Sequence, residues 1–251
     1  MLPEDDFLSL ALLYHLNSEP RLKDDDLIER AYEVEYKQIA AREPTIMLPR
    51  AKVNSPLAGL VARRQSNRNY ALTSMQANVL SSILLRTYSL NMDRKHAGSD
   101  MFSRTVPSAG GLYPLEVYVA VERVDNLQDG LYHYNIMDHG LELMRKGKIL
   151  VRLGDIALGQ DILATANIVF IFSAVFARTL RKYGPRGYRY VLFEAGHAAQ
   201  NCCLAATEYD LGSLCIGGFK DSLLNSLIEV DGFTEAAVYC VAVGYPEDKS
   251  S

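Results

Sequence analysis

"RKYGPRGYRYVLFEAGHAAQN", Arg181 to Asn201, governs how the rest of the chain is read. It opens on cations and phenols around a glycine-rich bend and then becomes an apolar helix, expected from about Tyr188 to Tyr209 and stopped by Gly212. Small residues, Gly196, Ala198, Ala199 and Ala205, punctuate that helix and suit close helix packing, within a core or across a dimer. His197 lies among them and is read as a packing histidine.

On either side the pattern turns to strands. Upstream, "ANIVFIFSA" (166–174) is apolar throughout, as expected of a strand covered on both faces. Downstream, "SLCIGGF" reads as a short strand running into a glycine pair, "KDSLLNSLI" as a helix and "EAAVYCVAVG" as a final buried strand. Earlier, Leu115, Val117, Val119 and Val121 alternate with Glu116, Tyr118 and Glu122 in a half-buried strand. "GLYHYNI" pairs with it after a turn at Asp125–Asp129, and a short helix follows around Ile149–Ala157. Residues 89–111 read as irregular. Helices are expected over Pro56–Arg64 and from Thr73, where Gln76 completes a capping box. Two more, Glu4–Leu16 and Asp24–Arg42, form a polar extension over residues 1–54, ahead of a main domain at 55–251. Strands interrupted by long helices, with neither G-x-G-x-x-G nor G-x-x-x-x-G-K, give an α+β fold without a Rossmann or P-loop site.

The 251 residues are 49% hydrophobic and 22% charged, with a formal net charge of -4. That balance gives no electrostatic reason to expect nucleic acid or an anionic membrane. Acids precede the first apolar run, so no signal peptide is read, and no run is long enough to cross a membrane. The four cysteines make no C-x-x-C pair and the five histidines are scattered, so no metal is expected. The cysteines read as reduced core thiols of a cytoplasmic protein.

Four constellations carry chemistry. Arg64-x-Ser66-x-Arg68 places two guanidiniums around a hydroxyl, fit for an anionic or multi-carbonyl ligand. "PSAGGLYP", Pro107 to Pro114, lets backbone approach a ligand closely beside Ser108, Ala109 and Gly110. "CIGGF" ends a strand in Gly217–Gly218 with free backbone N–H groups. The opening stretch puts Lys182 and Tyr183 beside a bend. Taken singly, these also suit a solvated helix end, a stiff loop, a strand-to-helix turn and a basic loop over apolar surface.

Taken in order, R-x-S-x-R, PSAGGLYP, GLYHY, KYG-x-RGYRY-x-x-x-EAGH-x-AQN, IGGF-x-D and a final VG resemble the SagB-type dehydrogenases, a branch of the FMN-dependent nitroreductase superfamily. The resemblance covers roughly Ser55 to Tyr245, with a fainter "YHLNS" at 14–18. It implies a nitroreductase-like sandwich with a mixed central sheet, usually a homodimer with FMN at the interface. On that pattern Arg64, Ser66 and Arg68 hold the flavin's phosphate and pyrimidine edge. Pro107, Ser108, Ala109 and Gly110 reach over from the other subunit, and Gly217 and Gly218 lie against the ring near N5. Superfamily members often bring Lys or Arg near the C-terminus to the phosphate; here Lys249 alone follows "VGYPED".

Lys182–Tyr183 matches the pair of azoline-oxidising members, which aromatise thiazolines or oxazolines by passing a hydride to N5 and are reoxidised by dioxygen. Burial and neighbouring cations are expected to make Lys182 a usable base. The implied substrate is an azoline on a peptide or a carrier, and the implied partner a cyclodehydratase or carrier protein. A nicotinamide-dependent nitroreductase or flavin reductase, and a non-catalytic flavin-binding scaffold subunit, are the competing readings.

Overall fold

Phe170 and Phe172 are fully buried, stacked with ring centroids 6.4 Å apart, on a strand with no polar residue but Ser173. Such a strand has to sit mid-sheet between two layers, and it does. The computed structural model describes residues 13–19, 45–49, 55–95 and 102–247. In chain order the main elements are α1 (Pro56–Arg63), α2 (Ala77–Tyr88), β1 (Leu90–Lys95), β2 (Phe102–Arg104), β3 (Leu115–Val121), β4 (Gly130–Asn135), β5 (Gly140–Lys146) and α3 (Leu150–Ile156). There follow β6 (Ile168–Val175), α4 (Ala177–Tyr183), α5 (Arg186–Glu208), β7 (Gly212–Ile216), α6 (Asp221–Leu227) and β8 (Glu235–Gly244).

The six-stranded sheet has the order β5-β4-β3-β6-β8-β7, with each neighbouring pair antiparallel; β1 and β2 form a separate hairpin. The expected mixed character is confined to isolated parallel bridges at Ser66–Ser213 and Met75–Val124. Strand alternation sorts the core into two layers. Val117, Val119, Phe170 and Phe172 pack under α2 and α5, whereas Tyr118, Ala120, Val169 and Ile171 pack under α3 and α6. Each Val, Ile or Phe among them contributes about 1.5–3 kcal/mol on leaving water.

Two buried polar side chains tie loops to this sheet. Glu122 Oε1 accepts from Ile149 N at 2.9 Å and Leu150 N at 2.8 Å, a cap for α3 that Ile149 itself cannot provide. Asn167 donates to Thr73 O at 2.7 Å and Arg123 O at 3.0 Å and accepts from Tyr245 N at 3.3 Å.

Several boundaries differ from the sequence reading. The capping box at Thr73 does not form. Met75 is drawn into the bridge to Val124, its N–H donating to Arg123 O, so α2 starts at Ala77. The stretch read as irregular contains β1 and β2, whose mostly polar residues show apolar alternation only at Leu90 and Met92, too short a signal to mark a strand. β5, an edge strand with no buried residue, was likewise silent. Of the two N-terminal helices, the first is described only at 13–17; the rest of both, and Lys249, lie outside the described residues. That short segment lies on the body: His15 Nδ1 is 3.0 Å from Tyr188 Oη, and its ring meets Phe176 edge-on at 5.5 Å. Among the described residues no helix is long and apolar enough to cross a membrane.

Candidate active site

The stretch from Arg181 is not a loop. Arg181–Tyr183 is the last turn of α4, Gly184 (φ 55, ψ -148) and Pro185 make the corner, and α5 starts at Arg186. The corner is tight because Gly187 packs on α4; a Cβ there would lie 3.1 Å from Leu180 Cα and Thr179 O. This delivers Lys182 and Tyr183 to the N-terminal end of α5, with Tyr183 edge-on to Tyr190 at 5.1 Å and Lys182 Nζ 5.4 Å from the Tyr183 ring centroid.

The Pro107–Pro114 loop comes to the same place within the same chain. Gly110 (φ +64) is pressed so close that a Cβ would stand 2.7 Å from Tyr183 Oη and 2.8 Å from Lys182 Nζ. The left-handed conformation favours glycine there, and the close approach is to the tips of two side chains that a Cβ would have to displace. A polar cage fixes the loop. Ser108 Oγ accepts from Tyr113 N at 2.9 Å and hydrogen-bonds Glu194, whose Oε1 accepts from Tyr88 Oη at 2.7 Å. The Arg104 guanidinium lies between the Tyr88 and Tyr113 rings, 4.6 and 4.9 Å from their centroids. Burial pushes the Glu194 carboxyl above the usual carboxylate range, against the pull of Ser108, Tyr88 and Arg104.

The other constellations meet elsewhere. Ser66 bridges Ser213 on β7, Asn67 N donates to Ser213 O at 2.9 Å, and Gly212 leaves room for the Asn67 side chain. Arg63 is spent structurally, holding Asp210 at 2.7 Å and reaching Thr207 O at the negative end of α5. Arg64 and Arg68 pair with no acid among the described residues. β7 then runs to Gly217 and Gly218, where an added Cβ would meet only Tyr239 at 3.7 Å and Leu158 at 3.4 Å, ordinary contacts. The chain's own packing does not demand glycine at either position.

Lys182, Tyr183, Pro107, Ser108, Ala109 and Gly110 thus gather at one end of α5. Arg64, Ser66, Arg68, Gly217 and Gly218 lie by its other end. Tyr190, which meets Tyr183, and Cys203, which meets Cys215 two residues before Gly217, are about 20 Å apart on α5 at the helical rise. One expectation needs correction: Lys182 is exposed, so the desolvation expected of it is not supplied by this chain alone. Ala198, Ala199 and Ala205 take the core alternative, buried against the chain's own sheet, and the open face of α5 is Leu192, Phe193, Gly196, His197 and Gln200. The cage of Tyr88, Arg104 and Glu194 went unread; an acid on the same helical face as Val191, Ala195 and Ala198 was its one trace.

Of the four cysteines, Cys202, Cys203 and Cys240 are buried as expected, but Cys215 is exposed. Its thiol is held down to about 6, chiefly by the hydrogen bond with Cys203, then by Tyr239 and the Arg64 charge.

The chain is similar to several known proteins. The nitroreductase family model matches residues 61–245. MJ1384 of Methanocaldococcus jannaschii, itself assigned as a nitroreductase, is 36% identical over 69% of this chain and 84% of its own. The microcin B17-processing protein McbC of Escherichia coli is 30% identical over 53% of this chain; the match spans about half of McbC, 51%. A chain of the E. coli microcin synthetase McbBCD complex, solved with truncated pro-MccB17 bound, superposes with a TM-score of 0.68 over 97% of this chain and 94% of that one; its 23% identity speaks for the fold. With peptide-processing relatives of the kind the SagB-type resemblance implied, and a family model spanning most of its length, the chain belongs to the nitroreductase family.

Proposed function

We propose that the protein is an FMN-dependent dehydrogenase that aromatises thiazoline or oxazoline rings in a peptide or carrier-bound substrate, working as a homodimer. The observation that carries this is the closeness of Gly110 to both Lys182 Nζ and Tyr183 Oη, an ammonium and a phenol set against bare backbone at the mouth of a loop. Similarity to a microcin-processing protein supports a peptide substrate and partner proteins such as a cyclodehydratase. The cofactor-binding unit is residues 55–251, with 1–54 as its extension.

The residues by β7 fit a flavin. Arg64 and Arg68 have no acid partner among the described residues and suit a phosphate and a pyrimidine carbonyl edge, with Ser66 between them. Gly217 and Gly218 leave room for a flat ring against backbone. When bound, the flavin supplies the hydride acceptor. Lys182, as the free amine, takes the proton that leaves the azoline's ring carbon, and Tyr183 orients the substrate or passes that proton on. The exposed Lys182 needs cover to serve as a base, and a bound substrate or a partner subunit provides it.

The separation of the two groups along α5 supports the dimer. One chain presents them too far apart to close on one small ligand, whereas a two-fold brings one chain's Lys182 end to the other's Arg64 end. Leu57 and Val61 on α1, 61% and 56% exposed, and Phe193 on α5 at 56% offer apolar surface for the contact.

The test is turnover of a synthetic thiazoline peptide by protein whose released cofactor is identified as FMN. Lys182→Ala and Tyr183→Phe should each lose on the order of 100-fold or more in turnover with flavin content intact. Full turnover in both variants would sink the assignment. The 36% identity to MJ1384 favours a second reading, a nicotinamide-dependent reductase. Rapid flavin reduction by NADH or NADPH, indifferent to Lys182, would select it.

A further inference from the structure

The Cys203 and Cys215 sulfurs face each other at 3.6 Å, one on α5 and one on β7, across the short turn at 209–211. Cys203 is buried at 3% exposure and Cys215 is open to solvent. Nothing in the proposed dehydrogenation uses either thiol. Core thiols are normally shielded, whereas here one of a contacting pair reaches the surface beside a guanidinium, Arg64. A disulfide needs the sulfurs to close to about 2.05 Å, a movement of about 1.5 Å that side-chain rotation can supply. Ser213 hydrogen-bonds Cys203 and Tyr239 hydrogen-bonds Cys215, so both sulfurs are held in register from outside the pair.

We infer that Cys203 and Cys215 are a redox-active pair, with Cys215 the peroxide-reactive sulfur and Cys203 the resolving one. The Cys215 thiolate attacks hydrogen peroxide. The O–O bond breaks, hydroxide leaves and takes a proton to become water, and Cys215 becomes a sulfenic acid. Cys203 then gives up its proton as its sulfur attacks that of Cys215. The S–O bond breaks and a second water leaves. Two thiols lose two electrons in all, and one peroxide becomes two waters. An external dithiol reverses the bond. The asymmetry fits these roles: the exposed sulfur carries a lowered pKa, whereas burial and the shared hydrogen bond push Cys203 up. The closed bond would pin β7 to α5 two residues before Gly217, the stretch that the flavin reading uses. The pair itself rests on thiol geometry alone, so its failure leaves the flavin reading standing, and the reverse also holds.

The experiment treats the purified full chain with hydrogen peroxide under native conditions, blocks remaining thiols, denatures and counts. Free thiols should fall from the four of the sequence to two, and return to four with dithiothreitol. Cleavage after glutamate separates the partners, since Glu208 lies between them; fragmentation of the linked peptides should place the bond at 203–215 and not at Cys202. Cys215→Ser, at an exposed position, should keep its three remaining thiols. Cys203→Ser should instead stop Cys215 at a dimedone-reactive sulfenic acid. Four thiols surviving peroxide in the folded chain, a bond to Cys202, or a bond between two chains would each overturn the assignment.

Discussion

The two ends of α5 are built on opposite terms. At the Lys182 end the chain fixes the loop itself, although Lys182 stays exposed. Gly110 takes a left-handed turn against the tips of Lys182 and Tyr183, Arg104 lies between two tyrosine rings, and a buried Glu194 holds the loop from below. At the Arg64 end the chain leaves things open. Two arginines lack acid partners among the described residues, a thiol is exposed, and a glycine pair makes room the fold does not use. The contrast separates a part that the chain pre-organises from a part that it leaves open, where the proposed flavin would sit.

Substitutions test that contrast, the most damaging first. Glu194→Ala leaves the Tyr88 hydroxyl and Ser108 without their buried acceptor, and should cost about 2–3 kcal/mol in chemical denaturation. An unchanged midpoint would mean that the cage is not what holds the closed end. Arg64→Ala or Arg68→Ala should weaken flavin binding on the order of 10- to 100-fold, the worth of a charged hydrogen bond, while melting as the parent does. A loss of stability there would make the open end structural after all. Gly110→Ala forces a positive φ on alanine and should cost about 1 kcal/mol of stability, with a larger loss of turnover as the loop is pushed off Lys182. Gly217→Ala, by contrast, should leave stability within a few tenths of a kcal/mol and show its effect on flavin alone.

A smaller effect is the pH dependence of the closed end. Glu194 has its folded pKa raised by burial above its ordinary 4.5, so the folded state binds that proton more tightly than the unfolded chain. Its contribution is full below 4.5 and is lost as pH rises through the folded value. Glu194→Gln should remove that downward slope from a plot of stability against pH; an identical slope in the variant would place the titration elsewhere.

The closed and open ends also differed in how readable they were. Gly217–Gly218, Arg64 and Arg68 were singled out as candidates because cations and turn glycines stand out in a sequence by type. β6 and β8 were found because their apolar runs are short and rich in β-branched and aromatic residues, which favours a buried strand over a helix. The cage was not, because Tyr88, Arg104 and Glu194 come together from α2, β2 and α5, and no local pattern records a tertiary meeting. Lys182 was found by its motif, but its exposure was not. Burial is set by what packs over a residue, and here nothing in the described chain does. β5 escaped for the converse reason: an edge strand with half-exposed faces has little apolar alternation to show.

The position of β8 bears on how the chain is made. It is the last strand in the sequence, yet it lies between β6 and β7. Until residues 235–244 leave the ribosome, the eight residues of β6, seven of them destined for full burial, present an unpaired edge. For that interval the most apolar strand in the protein is a template for any other chain nearby. Synthesis halted before residue 235 should therefore yield aggregate, and the sheet's centre is secured only once β8 has been made.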